Sequence, residues 1–324
     1  MGLSMKKVAV MLLVYFTLYS VSVNALINGD ITPAIVVSTV SLTIKHQHLL
    51  RSSNLWEEYD GNCSAVIVGT KPLTLLTAAH CFKEAKTNSD SHLPELLINN
   101  ADASGIIEAK LIKIFLHPFE EVEKNVGLDI AILVFNATLE DGVHAISLKQ
   151  EGRAVDVVLL CGFGLGYDET GLENPRCSQK KTLTTLQDFY QIMPQTYEAL
   201  DPMLHIKARA QFEYKQEIIK SISTLLAVNR LDSQGNYSVD EPMPTDGDSG
   251  GPWLTYEEDG RYRLVAITSY VERFYNKSAY WSFFNRDVPL SDYPYIAYGI
   301  RLGDADVQSF LKNAVKQGAD IRFK

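Results

Sequence analysis

The sequence predicts an all-β protein of the sandwich or barrel type, closed by a single C-terminal helix. Three observations predict it. Short runs rich in Val, Ile, Leu, Thr and Tyr recur along the chain, each bounded by Gly, Asn, Asp or Pro, as half-buried strands are. Helical spacing of apolar residues is confined to two stretches in the C-terminal half. With 46% hydrophobic residues in 324, the chain can bury the core of one large domain or two of ordinary size.

The first 25 residues, MGLSMKKVAVMLLVYFTLYSVSVNA, precede any strand signal. Lys6 and Lys7 lead an apolar run from Val8 to about Val23, and a small residue follows at Ala25. This is the layout of a secretory signal peptide, and the run is short for a bilayer span of about 20 residues. Nothing later in the chain is long and apolar enough to cross a membrane. The strand runs are IVVSTVSLTI (35–44), SAVIVG (64–69), LTLLTAA (73–79), AKLIKIFL (109–116), DIAILVF (129–135), AVDVVLLCGFG (154–164) and YRLVAITSYV (262–271). An all-β sandwich or barrel follows. In the final helix Val307, Phe310, Leu311, Ala314 and Val315 share a face, Asp304 is placed to cap the first amides and Gly318 suits the exit. A second helix is expected around 211–227, where Tyr214, Ile218, Ile219, Ile222 and Leu225 fall roughly on one side.

The charge balance is acidic, 30 Lys plus Arg against 39 Asp plus Glu, and no basic block interrupts it. Nucleic acid is therefore excluded as an expected partner. Loss of Lys6 and Lys7 with the leader would leave 28 basic residues against the same 39 acidic ones. Cys63, Cys81, Cys161 and Cys177 follow an export signal, so disulfides are expected. Four cysteines allow three pairings, and their order favours Cys63 with Cys81 and Cys161 with Cys177. Sequons stand at Asn62, Asn136, Asn236 and Asn276. The stretch DSQGNYSVDE (232–241) has the oxygens of a calcium loop without its spacing, and no metal is expected.

Three segments fit one mechanism: LLTAAHCF (75–82), VGLDIAILVF (126–135) and TDGDSGGPW (245–253). A serine hydroxyl is a poor nucleophile at neutral pH. It needs a base within hydrogen-bond reach, and the base needs a carboxylate to fix its tautomer and stabilise its charge. His80, Asp129 and Ser249 are the three types required. His117 in FLHPF reads instead as a strand-end and turn residue.

The blocks TAAHC, HPF followed by LDIAIL, and GDSGGP resemble the signature blocks of trypsin-like (chymotrypsin-fold) serine proteases, and LVAITSYV (264–271) resembles the strand that follows their nucleophile. The resemblance runs from about Leu26 to the C-terminal helix. It implies two antiparallel six-stranded β-barrels, about 26–140 and 141–303, with a helix at about 304–317 and the site in the cleft between them. It further implies His80 as general base, Asp129 as its orienting carboxylate, Ser249 as nucleophile, and the N–H groups of Gly247 and Ser249 as an oxyanion hole. Ser269 matches the serine that supports the triad aspartate. Cys63 and Cys81 match the bridge beside the histidine, which closes a loop worth on the order of 3 kcal/mol. LINGDITP (26–33) resembles the mature N-terminus of the family, whose α-amine pairs with the aspartate before the nucleophile. Here that aspartate is Asp248 and the amine is that of Leu26, which signal cleavage would itself create.

Several positions depart from the family pattern. Met243 stands where tryptic pockets have an aspartate, which removes the partner for Arg or Lys. Val271 and Ala297 stand for two pocket-wall glycines, and Val271 is expected to narrow the pocket toward small or medium apolar residues. Thr245 replaces a bracing cysteine. Cys161, in LLCGFG, is expected to pair with Cys177 across a strand hairpin. Insertions are expected within 190–243 and at 272–293. The chain reads as an exported serine endopeptidase, extracellular or periplasmic, acting on protein or peptide substrates without a cofactor. The alternative is a non-catalytic or partner-gated homologue that binds through the same scaffold.

Overall fold

The computed structural model describes residues 30–31, 38–50, 55–87, 93–100, 105–107, 109–122, 126–139, 145–149, 155–164, 175–183, 224–228, 244–273 and 295–324. Leu26, Met243, most of 190–243, and 274–294 lie outside them, as do residues 1–25. Among the described residues no helix is long and apolar enough to cross a membrane.

The described strands form two curled antiparallel sheets. β2 (Thr39–Leu50), β3 (Leu55–Thr70), β4 (Leu73–Thr77), β5 (Leu96–Asn100), β6 (Gly105–Ile107), β7 (Leu111–Leu116) and β8 (Ala131–Phe135) make the first, in the order β6-β5-β2-β3-β4-β8-β7. The second holds β9 (Val157–Gly162), β10 (Arg176–Leu183), β11 (Thr224–Val228), β12 (Pro252–Tyr256), β13 (Tyr262–Arg273) and β14 (Tyr295–Arg301), with β1 (Asp30–Ile31) added to β10. Its order is β10-β11-β14-β13-β12-β9, and β9 also pairs with β10, so six strands close into a ring. Where six strands were expected in the first unit there are seven, because β6 adds to the outer edge of β5.

Why the runs at 64–69 and 129–135 are continuously apolar is visible in their packing. Ala131, Leu133 and Phe135 face the core inside the first sheet, while Ile132 and Val134 face a second core. Ala65 and Ile67 of β3 likewise oppose Val66 and Val68. Alternate side chains of a strand point to opposite faces, so a strand buried on both faces loses the polar half of its pattern. The second core continues into Leu264, Ile267 and Ile300 of the other sheet and into Val307 and Leu311 of the C-terminal helix. It is the seam between the sheets.

The C-terminal helix spans Ala305–Lys316. The Asp306 N–H donates to Asp304 Oδ1 at 3.0 Å, and Gly318 takes a left-handed φ of 104° after the last turn. Gln308 joins the buried face, where its Nε2 donates to the Leu302 carbonyl at 2.6 Å; Val315 stays 37% exposed.

The helix expected around 211–227 is corrected at its end. Thr224–Val228 is strand β11, antiparallel to β10 and β14. β-Branched and aliphatic residues there complete the ring, and strand pairing overrides a weak helical spacing; residues 211–223 lie outside the described part.

Candidate active site

β4 and β8 are neighbours, with Thr77 opposite Ala131. A 3-10 turn, Ala79–Phe82, follows β4, and a second, Val126–Leu128, leads into β8. The chain ends of these two strands therefore bring His80 and Asp129 together from the first sheet. Asp129 is 3% exposed. Its Oδ1 accepts the His80 backbone N–H at 2.8 Å, and its Oδ2 lies 2.8 Å from His80 Nδ1.

Ser249 comes from the second sheet, in the turn before β12. His80 Nε2 is 3.0 Å from Ser249 Oγ. The Ser269 hydroxyl, on β13, donates to Asp129 Oδ2. The four side chains thus form one line of hydrogen-bonded contacts across the seam, running from Ser269 through Asp129 and His80 to Ser249. The Ser269 carbonyl, at 3.5 Å, is a poorer partner for Ser249 Oγ than the imidazole.

Electrostatics follow from this line. Burial alone would push the His80 imidazole down, but the hydrogen bond and charge of Asp129 outweigh it and hold the group above the ordinary histidine value. Burial alone would push Asp129 up. The His80 ring, the Ser269 hydroxyl and the His80 backbone N–H hold it below the usual carboxylate range. The pair favours a charged carboxylate beside a ring that readily accepts a proton.

The loop of Ser249 is fixed from both sheets. The Ser64 N–H of β3 donates to the Ser249 carbonyl at 2.8 Å, and Ser64 Oγ donates to the Gly247 carbonyl at 2.8 Å. Gly250 has a φ of 83°, and a Cβ on it would fall 2.2 Å from the Ser64 carbonyl oxygen. Only glycine lets the loop approach β3 so closely. Among the described residues the N–H groups of Gly247 and Ser249 have no intramolecular acceptor.

Asp248 is fully buried behind this loop. Its carboxylate accepts the Gly164 N–H at 2.7 Å and the Thr245 N–H at 2.8 Å. Gly162 and Gly164 of LLCGFG make its space, since a Cβ on either would meet a carboxylate oxygen at 2.0 or 2.4 Å. Burial pushes Asp248 up to about 7 against the pull of the two amides; Asp246 adds to the rise and Arg176 opposes it.

Val271 and Ala297 sit directly opposite one another on β13 and β14, Val271 half-buried and Ala297 fully buried. Pro244 and Thr245 are in place, whereas Met243 and Leu26 lie outside the described residues. Both disulfides form as paired in the sequence reading: Cys63–Cys81 beside His80, and Cys161–Cys177 between residues facing each other on β9 and β10. His117 sits just beyond β7, its ring centroid 4.7 Å from that of Phe310. Sequence reasoning missed Ser64, which joins the loop to β3, and Arg176, a buried cation near Asp248. No motif marks Ser64, because its role is set by a contact across 183 residues.

A family model described as Trypsin matches residues 40–197, a span that contains His80 and Asp129 and ends before Ser249. No curated protein matches the chain.

Proposed function

We propose that this chain, a member of the trypsin-like serine protease family, is an exported serine endopeptidase that works through an acyl-enzyme on Ser249. The observation that carries the reading is the unbroken line from Ser269 to Asp129, His80 and Ser249. Ser249 Oγ attacks the scissile carbonyl while its proton passes to His80 Nε2. The imidazolium so formed is stabilised by Asp129, which keeps its negative charge. Developing negative charge on the carbonyl oxygen is met by the N–H groups of Gly247 and Ser249; one such donor is worth about 100- to 1000-fold in turnover. His80 then gives its proton to the leaving amine. Water repeats the sequence on the acyl-enzyme, restoring Ser249.

The same reading assigns residues 1–25 to a leader and 26–324 to the peptidase domain, with the mature chain starting at Leu26. Its α-amine would pair with Asp248. Support comes from β1, where Asp30 and Ile31 lie opposite Cys177 and Arg176, on the strand that also faces Gly162 beside Asp248. N-terminal sequencing of secreted protein tests this, and a start well downstream of Leu26 ends it. Pocket specificity is assigned to Met243, Val271 and Ala297, with cleavage after small or medium apolar residues.

A fluorophosphonate probe tests the enzyme directly. Labelling of the wild type and none of Ser249→Ala supports the proposal, whereas an unlabelled wild type favours a binding protein. Labelling only in the presence of a partner would favour the gated form, in which the pocket lacks the brace that Thr245 replaces.

A further inference from the structure

Ser64 is completely buried where three pieces of chain meet: β3, the loop that carries Ser249, and the segment after β9. Every polar group it has is engaged. Its N–H donates to the Ser249 carbonyl at 2.8 Å, and its carbonyl accepts from Thr77 Oγ1 at 2.7 Å. Its hydroxyl donates to the Gly247 carbonyl at 2.8 Å and accepts the Phe163 N–H at 2.9 Å. A serine hydroxyl has one proton to give. Because the Phe163 amide is itself a donor, that proton goes to Gly247.

The peptide units around Gly247 show what this bond controls. A peptide unit is planar and trans, so its C=O and N–H point in opposite directions. The 248–249 unit is held by its carbonyl, which accepts the Gly251 N–H at 2.9 Å, and the Ser249 N–H faces the other way. The 247–248 unit is held at both ends. Its N–H, on Asp248, donates to the Thr245 carbonyl at 3.1 Å, and its carbonyl takes the Ser64 hydroxyl. The Gly247 N–H belongs to the unit before these two. Gly247 has a φ of 94°, and glycine populates both signs of φ, so its Cα is a swivel. On one side of the swivel stands Asp246, which is exposed; on the other stands the pinned 247–248 unit. The direction of the Gly247 N–H is therefore set from the downstream side, by the unit that Ser64 holds.

Resting on the acyl-transfer reading above, we propose that Ser64 is a positioning residue for the oxyanion site, its hydroxyl holding the Gly247 carbonyl so that the Gly247 N–H stays beside that of Ser249. The hydroxyl itself is out of reach of substrate, since none of Ser64 is exposed. Phe163 aims it. Phe163 and Gly164 are consecutive, and their amides go to the Ser64 hydroxyl and, at 2.7 Å, to the Asp248 carboxylate, so one short segment orients both supports of the loop. The bond also ties the loop of the second sheet to a strand of the first, the sheet that supplies His80 and Asp129.

The test compares the wild type with Ser64→Ala, which has no donor, Ser64→Cys, which fills the same space with a weak donor, and Ser64→Thr, which keeps a hydroxyl. The substrate is Ala-Ala-Pro-Val p-nitroanilide, and the trifluoromethyl ketone of the same peptide probes the oxyanion site. Ser249 Oγ bonds to the ketone carbon, its proton passes to His80, and the carbonyl electron pair moves onto the oxygen that faces the Gly247 and Ser249 N–H groups. In Ser64→Ala and Ser64→Cys, kcat falls by about 10- to 100-fold, part of what one oxyanion donor is worth, while KM changes little. The fluorine resonance of the adduct shows its oxygen taking up a proton at higher pH than in the wild type. The midpoint of the pH-rate profile, which belongs to His80, stays in place, and Ser64→Thr restores most of kcat. Ser64 also completes the sequon at Asn62, so Asn62→Gln is the control and leaves kcat unchanged. Wild-type kcat and adduct titration in Ser64→Ala, or in Ser64→Cys where Ser64→Ala does not fold, overturn the inference and leave the enzyme reading intact. A fall in kcat accompanied by an equal rise in KM and a moved pH midpoint overturns it as well, because a general loosening would do that. If the wild type neither cleaves the anilide nor forms the adduct, the enzyme reading falls and this inference with it.

Discussion

Blocking the α-amine of Leu26 isolates what burial does to Asp248. In a chain with one residue added before Leu26, the carboxyl has no amine to pair with, and burial pushes it from 3.8 to about 7. At about 1.4 kcal/mol per pKa unit this corresponds to roughly 4 kcal/mol. The sign follows from proton counting. Between the unfolded value near 3.8 and the folded value near 7, the native state holds a proton that the unfolded state has released. Stability therefore falls as pH rises through that window. In the chain beginning at Leu26 the charged amine favours the carboxylate, so the fall is offset. Urea unfolding of both forms, in a Ser249→Ala background to prevent self-cleavage, gives curves that coincide near pH 4 and separate by up to several kcal/mol near pH 7.5. Parallel pH profiles for the two forms would refute the pairing of Leu26 with Asp248.

Gly162→Ala places a Cβ 2.0 Å from Asp248 Oδ1, so the carboxylate must leave its two amides; a loss of about 3 kcal/mol in urea unfolding is expected, together with lost probe labelling. Because His80 is held above the ordinary histidine value, kcat/KM falls as pH drops through that raised value and the ring becomes charged before it can act as base; a pH-rate profile checks it. Ser269→Ala removes a hydrogen bond to the Asp129 carboxylate, which raises the Asp129 value and lowers kcat at neutral pH by about 10-fold, with KM little changed. Val271→Gly removes a half-buried side chain opposite Ala297 and shifts cleavage toward larger apolar residues, as read from a peptide library.

The strands that the sequence revealed are those whose inward side chains are apolar: β4, β8 and β13 begin or end within two residues of the runs that predict them. β10 was hidden for a physical reason. Its buried positions include Arg176, Lys180 and Thr182, so a period-two pattern exists but carries polar residues inward. The spacing in β11 reads as the end of a helix because its pairing with β10 and β14 lies far away in sequence. At the site, His80, Asp129, Ser249 and Ser269 were legible because each sits in a local motif. Ser64 and the fit of Asp248 against Gly162 and Gly164 were not, since they exist only where separate strands meet.

In the proposed reaction Ser249 is acylated with His80 as its base. Mixing the mature protein with a p-nitrophenyl ester of Ala-Ala-Pro-Val, quenching in acid and sequencing the adduct by mass spectrometry tests it most directly. A burst of p-nitrophenol close to one equivalent and an acyl group on Ser249 are expected, both absent from His80→Ala at neutral pH. Steady release without a burst or an adduct, or an acyl group on another residue, would contradict it.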